Sequence, residues 1–141
     1  MDTRSPSNCI RILIQNLNLS PKATSQLLIN AIKLNSSILC FSEPNIVADD
    51  IRGFTGHSIV AYEPRKDARC GIATTLQNVM MISQFSNPFC TCARIECSIP
   101  FIICSIYLSP NSEHLEEELS HFDKILSTFN DMPIILTGDF N

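Results

Sequence analysis

Two short runs constrain this fold more than any other feature: Ser37–Ser42 (SILCFS) and Met132–Thr137 (MPIILT). Each is apolar at successive positions, not at alternate ones. Successive side chains of a strand point to opposite faces, so such a run needs cover on both sides. A strand inside a layered structure meets that need, and a lone hairpin does not. Each run also stops at a turn that bears a carboxylate. Glu43-Pro44 follows the first, where proline cannot continue a ladder, and Gly138-Asp139 follows the second.

The intervening sequence supplies the layers. Ile10–Gln15 (IRILIQ) alternates apolar and polar residues and reads as a first strand. Ser20-Pro21 is an N-cap followed by proline at the first helical position. Leu27, Leu28, Ala31 and Ile32 recur at helical spacing, which predicts a helix over Pro21–Leu34 with one buried stripe. Ser58–Tyr62, Gly71–Leu76, Val79–Phe85, Thr91–Cys97 and Phe101–Leu108 read as strands. Their linkers are short, which favours antiparallel hairpins. Leu115, Leu119, Phe122, Leu126 and Phe129 then predict a second helix over Ser112–Phe129. Ser112 is its expected N-cap, and Glu113, Glu116 and Glu117 suit the positive end of its dipole. The stripe is expected to be core. The element order, β-α-β, several strands, then α-β, is that of a layered α/β fold.

Length and composition bound the class. The chain has 141 residues, 45% hydrophobic and 17% charged, enough to bury a core and too apolar for a disordered chain. One domain is expected over 10–141, behind a tail at 1–9. No apolar run approaches the ~20 residues of a membrane-spanning helix. The polar opening Met1-Asp2-Thr3-Arg4-Ser5-Pro6 reads as no signal peptide.

The net charge of −4 argues against a surface that coats nucleic acid indiscriminately. The charge is uneven, with eight basic and six acidic side chains in residues 1–70 and two basic and eight acidic in 71–141. The local basic excess is Arg65, Lys66 and Arg69. Seven cysteines, an odd number, favour reduced thiols and an intracellular protein, in nucleus or cytoplasm. Cys90 and Cys92 share a strand face that Cys97 does not, and no C-x-x-C pair occurs. Small buried thiols are therefore expected, not a zinc site.

The chemistry-bearing residues gather at strand ends: Glu43, Asp139, and the pair Asn16 and Asn18. Ligand sites in α/β sheets lie beyond the carboxyl ends of strands. Carboxylates with carboxamides make a hard oxygen site. That suits Mg²⁺, with Mn²⁺ as a substitute, because Mg²⁺ takes one or two carboxylates and completes its octahedron with water and phosphate. Glu43 and Asp139 are the candidate metal ligands.

In order along the chain, Ile12-Leu13-Ile14-Gln15-Asn16-Leu17-Asn18, Leu39-Cys40-Phe41-Ser42-Glu43-Pro44, Ser105-Ile106-Tyr107-Leu108-Ser109-Pro110 and Pro133-Ile134-Ile135-Leu136-Thr137-Gly138-Asp139-Phe140-Asn141 resemble the motifs of the endonuclease/exonuclease/phosphatase superfamily. More narrowly, they resemble the apurinic/apyrimidinic-like endonuclease domain of non-LTR (LINE-type) retrotransposons. The resemblance implies an αββα layered sandwich, incomplete at its carboxyl end, since the family's late Asp and Asp-His motifs do not occur before Asn141. Gln15 stands where the family commonly has an aromatic residue. His57, His114 and His121 lie outside any motif, and the last two are expected on the surface of the acidic helix.

The implied roles follow the family. Glu43 would bind Mg²⁺ and Asn16 would support the metal shell. Tyr107 would bond the scissile phosphate or assist the leaving group. Asp139 would orient or activate water, and Asn141 would hold a phosphate oxygen. Asn18, Arg65, Lys66 and Arg69 would meet the DNA substrate. The implied activity is Mg²⁺-dependent phosphodiester hydrolysis, a DNA-nicking domain fused in its element to a reverse transcriptase and inactive as this fragment. Another phosphoesterase of the superfamily and a non-catalytic remnant are the alternatives.

Overall fold

The computed structural model describes residues 9–109 and 113–140. Ser112 and Asn141, and all but the last residue of the tail at 1–9, lie outside the described residues. The chain runs β1 (Ile12–Asn16), α1 (Pro21–Leu34), β2 (Ile38–Ser42), β3 (Ile46–Val47), β4 (Asp50–Ile51), β5 (Ser58–Val60), β6 (Cys70–Thr74), β7 (Val79–Met81), β8 (Cys90–Ile95), β9 (Phe101–Tyr107), α2 (Leu115–Thr128) and β10 (Ile134–Asp139). Two four-stranded sheets form, ordered β1-β2-β6-β5 and β10-β9-β8-β7, and β3 pairs with β4 in a separate ribbon. That ribbon, two residues a strand, carries too little pattern to read from sequence.

The apolar run in β2 explains the layers. Its alternate residues Leu39 and Phe41 pack with Leu27 and Ala31 of α1. The intervening Ile38 and Cys40 pack with Ile72, Ala93, Ile95 and Ile103, between the two sheets. On the far side Cys92, Ile102, Cys104 and Ile106 meet Phe122 and Ile125 of α2. Helix, sheet, sheet and helix therefore stack as the expected αββα sandwich, and the inner strands are apolar on both faces for that reason. Phe41 stacks on Phe54 with ring centroids 4.7 Å apart. The Phe41 ring also lies over its cross-strand partner Gly71, where a Cβ would come within 2.5 Å of the ring.

Helix α1 has the expected limits because both ends are written locally. The Ser20 hydroxyl accepts from Ala23 N at 3.1 Å, Pro21 follows, and Asn35 closes the helix in the left-handed region at φ 51°. Its buried stripe is Thr24, Leu27 and Ala31, whereas Ile32 is 81% exposed. Helix α2 differs in the same way. Phe122, Ile125 and Phe129 face the sheet, and Leu115, Leu119 and Leu126 form the next column round the helix and are exposed. Apolar spacing gives a helix its period, but the sheet decides which column is buried. The expected strand Val79–Phe85 breaks after β7 into a short 3₁₀ turn at Ser83–Phe85.

Both helices join parallel strands, β1 to β2 and β9 to β10. Four strands thus end at one edge of the sandwich. Leu17 N donates to Ser42 O at 2.9 Å in one sheet, and Leu108 N donates to Asp139 O at 2.8 Å in the other. That edge carries the candidate site.

Candidate active site

Asn16 is the last residue of β1. Its Oδ1 accepts from Asn18 N at 2.8 Å, and its Nδ2 donates to Asp139 Oδ2 at 2.8 Å. The first bond is an Asx turn, which suits the left-handed backbone of Asn18 at φ 50°. Glu43, just past β2, is also left-handed, with φ 48°. Outside glycine that conformation costs about 1–2 kcal/mol. Two backbone bonds hold it there: Glu43 N donates to Arg69 O at 2.8 Å, and Glu43 O accepts from Leu19 N at 2.9 Å.

Tyr107 ends β9 directly beside Asp139 in the parallel ladder. Its hydroxyl donates to Glu43 Oε1 at 3.3 Å, so one carboxylate from each sheet is tied to a residue of the other. Burial, then the Glu43 carboxylate and more weakly Asp139, push the phenol above its ordinary value, with Arg69 pulling the other way. Asp139 is aimed by Gly138, whose φ is +140° and where a Cβ would sit 1.9 Å from Ile106 O. Only glycine lets β10 lie this close to β9. A cleft of about 260 Å³ opens at this edge, lined by Asn16, Phe41, Ser42, Gly138, Asp139 and Phe140.

Beneath the cleft a buried polar layer pins the sheets together. Ser105 Oγ donates to Phe41 O at 3.3 Å, Cys70 Sγ donates to Ser105 O at 3.2 Å, and Thr91 Oγ1 donates to Cys70 O at 3.3 Å. Sequence reasoning missed these residues. A single Ser, Thr or Cys in a strand gives no sign of its partner across the sandwich.

The basic residues separate. Arg65 is committed to its own loop: its Nη1 donates to Asp50 Oδ1 at 3.2 Å, its Nε to Glu63 Oε1 at 3.1 Å and its Nη2 to Ile59 O at 3.3 Å. The guanidinium holds the Asp50 carboxyl below the usual carboxylate range. Lys66 is exposed on the same turn. Arg69 is exposed and joined to the site, since its N donates to Pro88 O at 2.7 Å and its carbonyl holds Glu43. His121 is packed, contrary to expectation: its Nε2 lies 2.8 Å from Phe85 O and its ring stands edge-on to Phe85 and Phe122. His114 is exposed and lies 3.7 Å from Glu117. The Nδ1 of His57 lies 3.2 Å from Thr55 O in its own loop.

The donor set fits a hard cation. Glu43, Asp139 and Asn16 offer oxygen ligands at one edge. Among the described residues no three His, Cys, Asp or Glu side chains gather into a protein cage. Mg²⁺ needs no such cage, because water and substrate phosphate supply the rest of its shell.

No family model and no curated protein matches the sequence. Solved structures do. The chain is similar to "Endonuclease domain of TRAS1, a telomere-specific non-LTR retrotransposon", with a TM-score of 0.78 and 20% identity over 93% of its length. This chain has the fold of that endonuclease domain. It spans 58% of the length of that endonuclease structure.

Proposed function

We propose that this chain carries the amino-terminal part of a Mg²⁺-dependent nuclease domain that hydrolyses phosphodiester bonds in DNA. The observation that carries the reading is the pair of bonds Asn16–Asp139 and Tyr107–Glu43, which draw candidate residues from two sheets to one strand-end edge. Hydrolysis of a phosphodiester is mainly positioning and electrostatics, so oxygen and amide side chains suffice.

Glu43, with Asp139 nearby, would hold the metal, which when bound neutralises phosphate charge. Asp139, oriented by the Asn16 amide, takes the proton of the attacking water or fixes its direction. The Tyr107 phenol, kept protonated, donates to a phosphate oxygen or to the leaving group. Arg69 meets the DNA backbone, and Asn18 and Lys66 make further substrate contacts in this reading. Asn141, outside the described residues, holds a phosphate oxygen in this reading. The reading also takes the protein to be intracellular and, in its element, fused to a reverse transcriptase. The endonuclease structure to which the chain is similar is longer, as its 58% coverage records. Activity is therefore expected of a chain that spans the whole fold, and not of these 141 residues alone.

The test is nicking of supercoiled plasmid in Mg²⁺ by a chain extended to the whole fold, beside Glu43→Ala and Asp139→Ala. Each variant is expected to lose at least about a hundredfold in rate. Equal nicking by all three, or no nicking by the extended chain with either Mg²⁺ or Mn²⁺, overturns the reading.

A further inference from the structure

Ser42 ends β2 in the wall of the cleft between the strand ends. Its side chain lies on the face of β2 that carries Ile38 and Cys40, the face turned toward the second sheet. The parallel ladder sets it directly beside Asn16, whose amide holds Asp139 at 2.8 Å. Ser42 and Asp139 thus line one space of about 260 Å³, each from its own sheet. Ser42 is only 3% exposed. A hydroxyl so far from bulk solvent is ordinarily bonded within the protein. Those of Thr24, Thr74, Thr91 and Ser105 each donate to a main-chain carbonyl. Among the described residues the buried hydroxyls of Ser36, Ser42 and Thr137 make no hydrogen bond, and of these three only Ser42 lines the cleft.

The Ser42 hydroxyl therefore takes its hydrogen bond from whatever occupies the cleft. The chemistry of its neighbour selects the occupant. An ionised Asp139 accepts hydrogen bonds and donates none, so a small molecule shared between Asp139 and Ser42 must bring a donor. A phosphodiester brings none. Water brings two, and its oxygen accepts from the Ser42 hydroxyl. A held water needs two to four polar partners, and these two side chains begin that set.

We propose that Ser42 and Asp139 together hold the water that attacks the phosphodiester. That this water attacks rests on the nuclease reading. That the two side chains hold it does not. One lone pair of the water accepts from Ser42 and one O–H points to Asp139, which leaves the second lone pair to face the substrate. Positioning of this kind is a large part of what a reacting group gains from a protein. The water oxygen bonds to phosphorus as the bond to the leaving oxygen breaks. One proton passes to Asp139, and the leaving oxygen takes its proton from Tyr107 or from solvent.

The test uses the chain extended to the whole fold. Crystals grown without divalent metal are expected to show an ordered water within hydrogen-bond distance of both Ser42 Oγ and Asp139, and crystals of Ser42→Ala to lack it. Because the hydroxyl has no partner among the described residues, Ser42→Ala is expected to leave Tm unchanged or to raise it. Its kcat for plasmid nicking should nonetheless fall about tenfold, the worth of one neutral hydrogen bond, with KM unchanged. Ser42→Thr, which keeps the hydroxyl, is expected to restore kcat. Three results overturn the proposal and leave the nuclease reading standing: no water on the two side chains, a water that stays in Ser42→Ala, or a kcat untouched by Ser42→Ala while Asp139→Ala stops nicking. A lowered Tm in Ser42→Ala, with no recovery of kcat in Ser42→Thr, marks a structural role and overturns it too. A water held by both side chains in an extended chain that never nicks DNA supports the water site and removes the nuclease reading.

Discussion

Asn16 and Asp139 are 123 positions apart in sequence, yet the Asn16 amide donates to the Asp139 carboxylate at 2.8 Å. Each ends a strand at the edge of its sheet, β1 in one and β10 in the other. The bond crosses between the two sheets and sets the direction of the carboxylate.

Removing the amide should therefore act through Asp139. In an extended chain Asn16→Ala is expected to slow nicking about tenfold or more, with the double variant Asn16→Ala/Asp139→Ala no slower than Asp139→Ala alone. The expected cost in stability is about 1 kcal/mol. Additive rate losses in the double-mutant cycle would show that Asn16 acts independently.

The raised Tyr107 phenol gives a signed pH effect. The fold holds this proton more tightly than the unfolded chain does, first because of burial and then because of Glu43. Its contribution is full below the ordinary tyrosine value of 10.0 and is lost as pH rises through the higher folded value. Denaturant unfolding should show wild type losing stability above about pH 10 more steeply than Tyr107→Phe. Parallel curves would disprove the coupling. Glu43→Gln should bring the phenol back toward its ordinary value, read by tyrosinate absorbance.

Gly138 is expected to tolerate no side chain, since a Cβ would sit 1.9 Å from Ile106 O at a φ of +140°. Gly138→Ala should cost about 3 kcal/mol, or prevent β10 from docking on β9. Calorimetry checks this, and an unchanged Tm rules it out. Gly56, which has open space around it, is the control: Gly56→Ala meets only the backbone strain of φ +81°.

The thiols should divide by burial. Cys9 and Cys97 are exposed, and Cys40, Cys70, Cys90, Cys92 and Cys104 are buried. Burial pushes Cys40 and Cys70 up to about 12, which leaves little thiolate at neutral pH. A thiol reagent should react quickly with two groups and with the rest only on unfolding. Fast reaction of a third would contradict the packing between the sheets.

Arg65 and Arg69 should behave differently. Arg69→Ala is expected to weaken DNA binding and reduce its salt slope by about 1, as loss of one phosphate contact does. Arg65→Ala should leave the salt slope unchanged and loosen the loop that holds Asp50, at a cost of about 1 kcal/mol or less given its partial exposure. Equal salt slopes for the two variants would assign them the same role.

Much of this was legible in the sequence, for local reasons. Ser20-Pro21 and Asn35 bound α1 within a few residues of themselves, and the apolar run of β2 required cover on two faces wherever it lay. The strand-end position of Glu43 followed from Pro44, because a turn is a local event, whereas the expected turn at Gly138 is strand, and β10 runs through it to Asp139. The choice of buried helix face was not legible. Leu119 and Ile125 are equally apolar, and only the sheet beneath α2 decides that Ile125 is covered. The bond from Ser105 to Phe41 was hidden for the same reason, as was the commitment of Arg65 to Asp50.

By itself, then, the sequence determined both helices and the main strands, though not the β3–β4 ribbon or the turn at Ser83–Phe85, and it placed Glu43 where a strand stops. Backbone preference and hydrophobic period act over a few residues, and both can be read from a string. The tertiary structure alone decided which strand ends meet. The Asn16–Asp139 and Tyr107–Glu43 pairs depend on the order of strands in two sheets and on how those sheets face each other. That order is set by burial summed over the whole sandwich, and no single residue carries it.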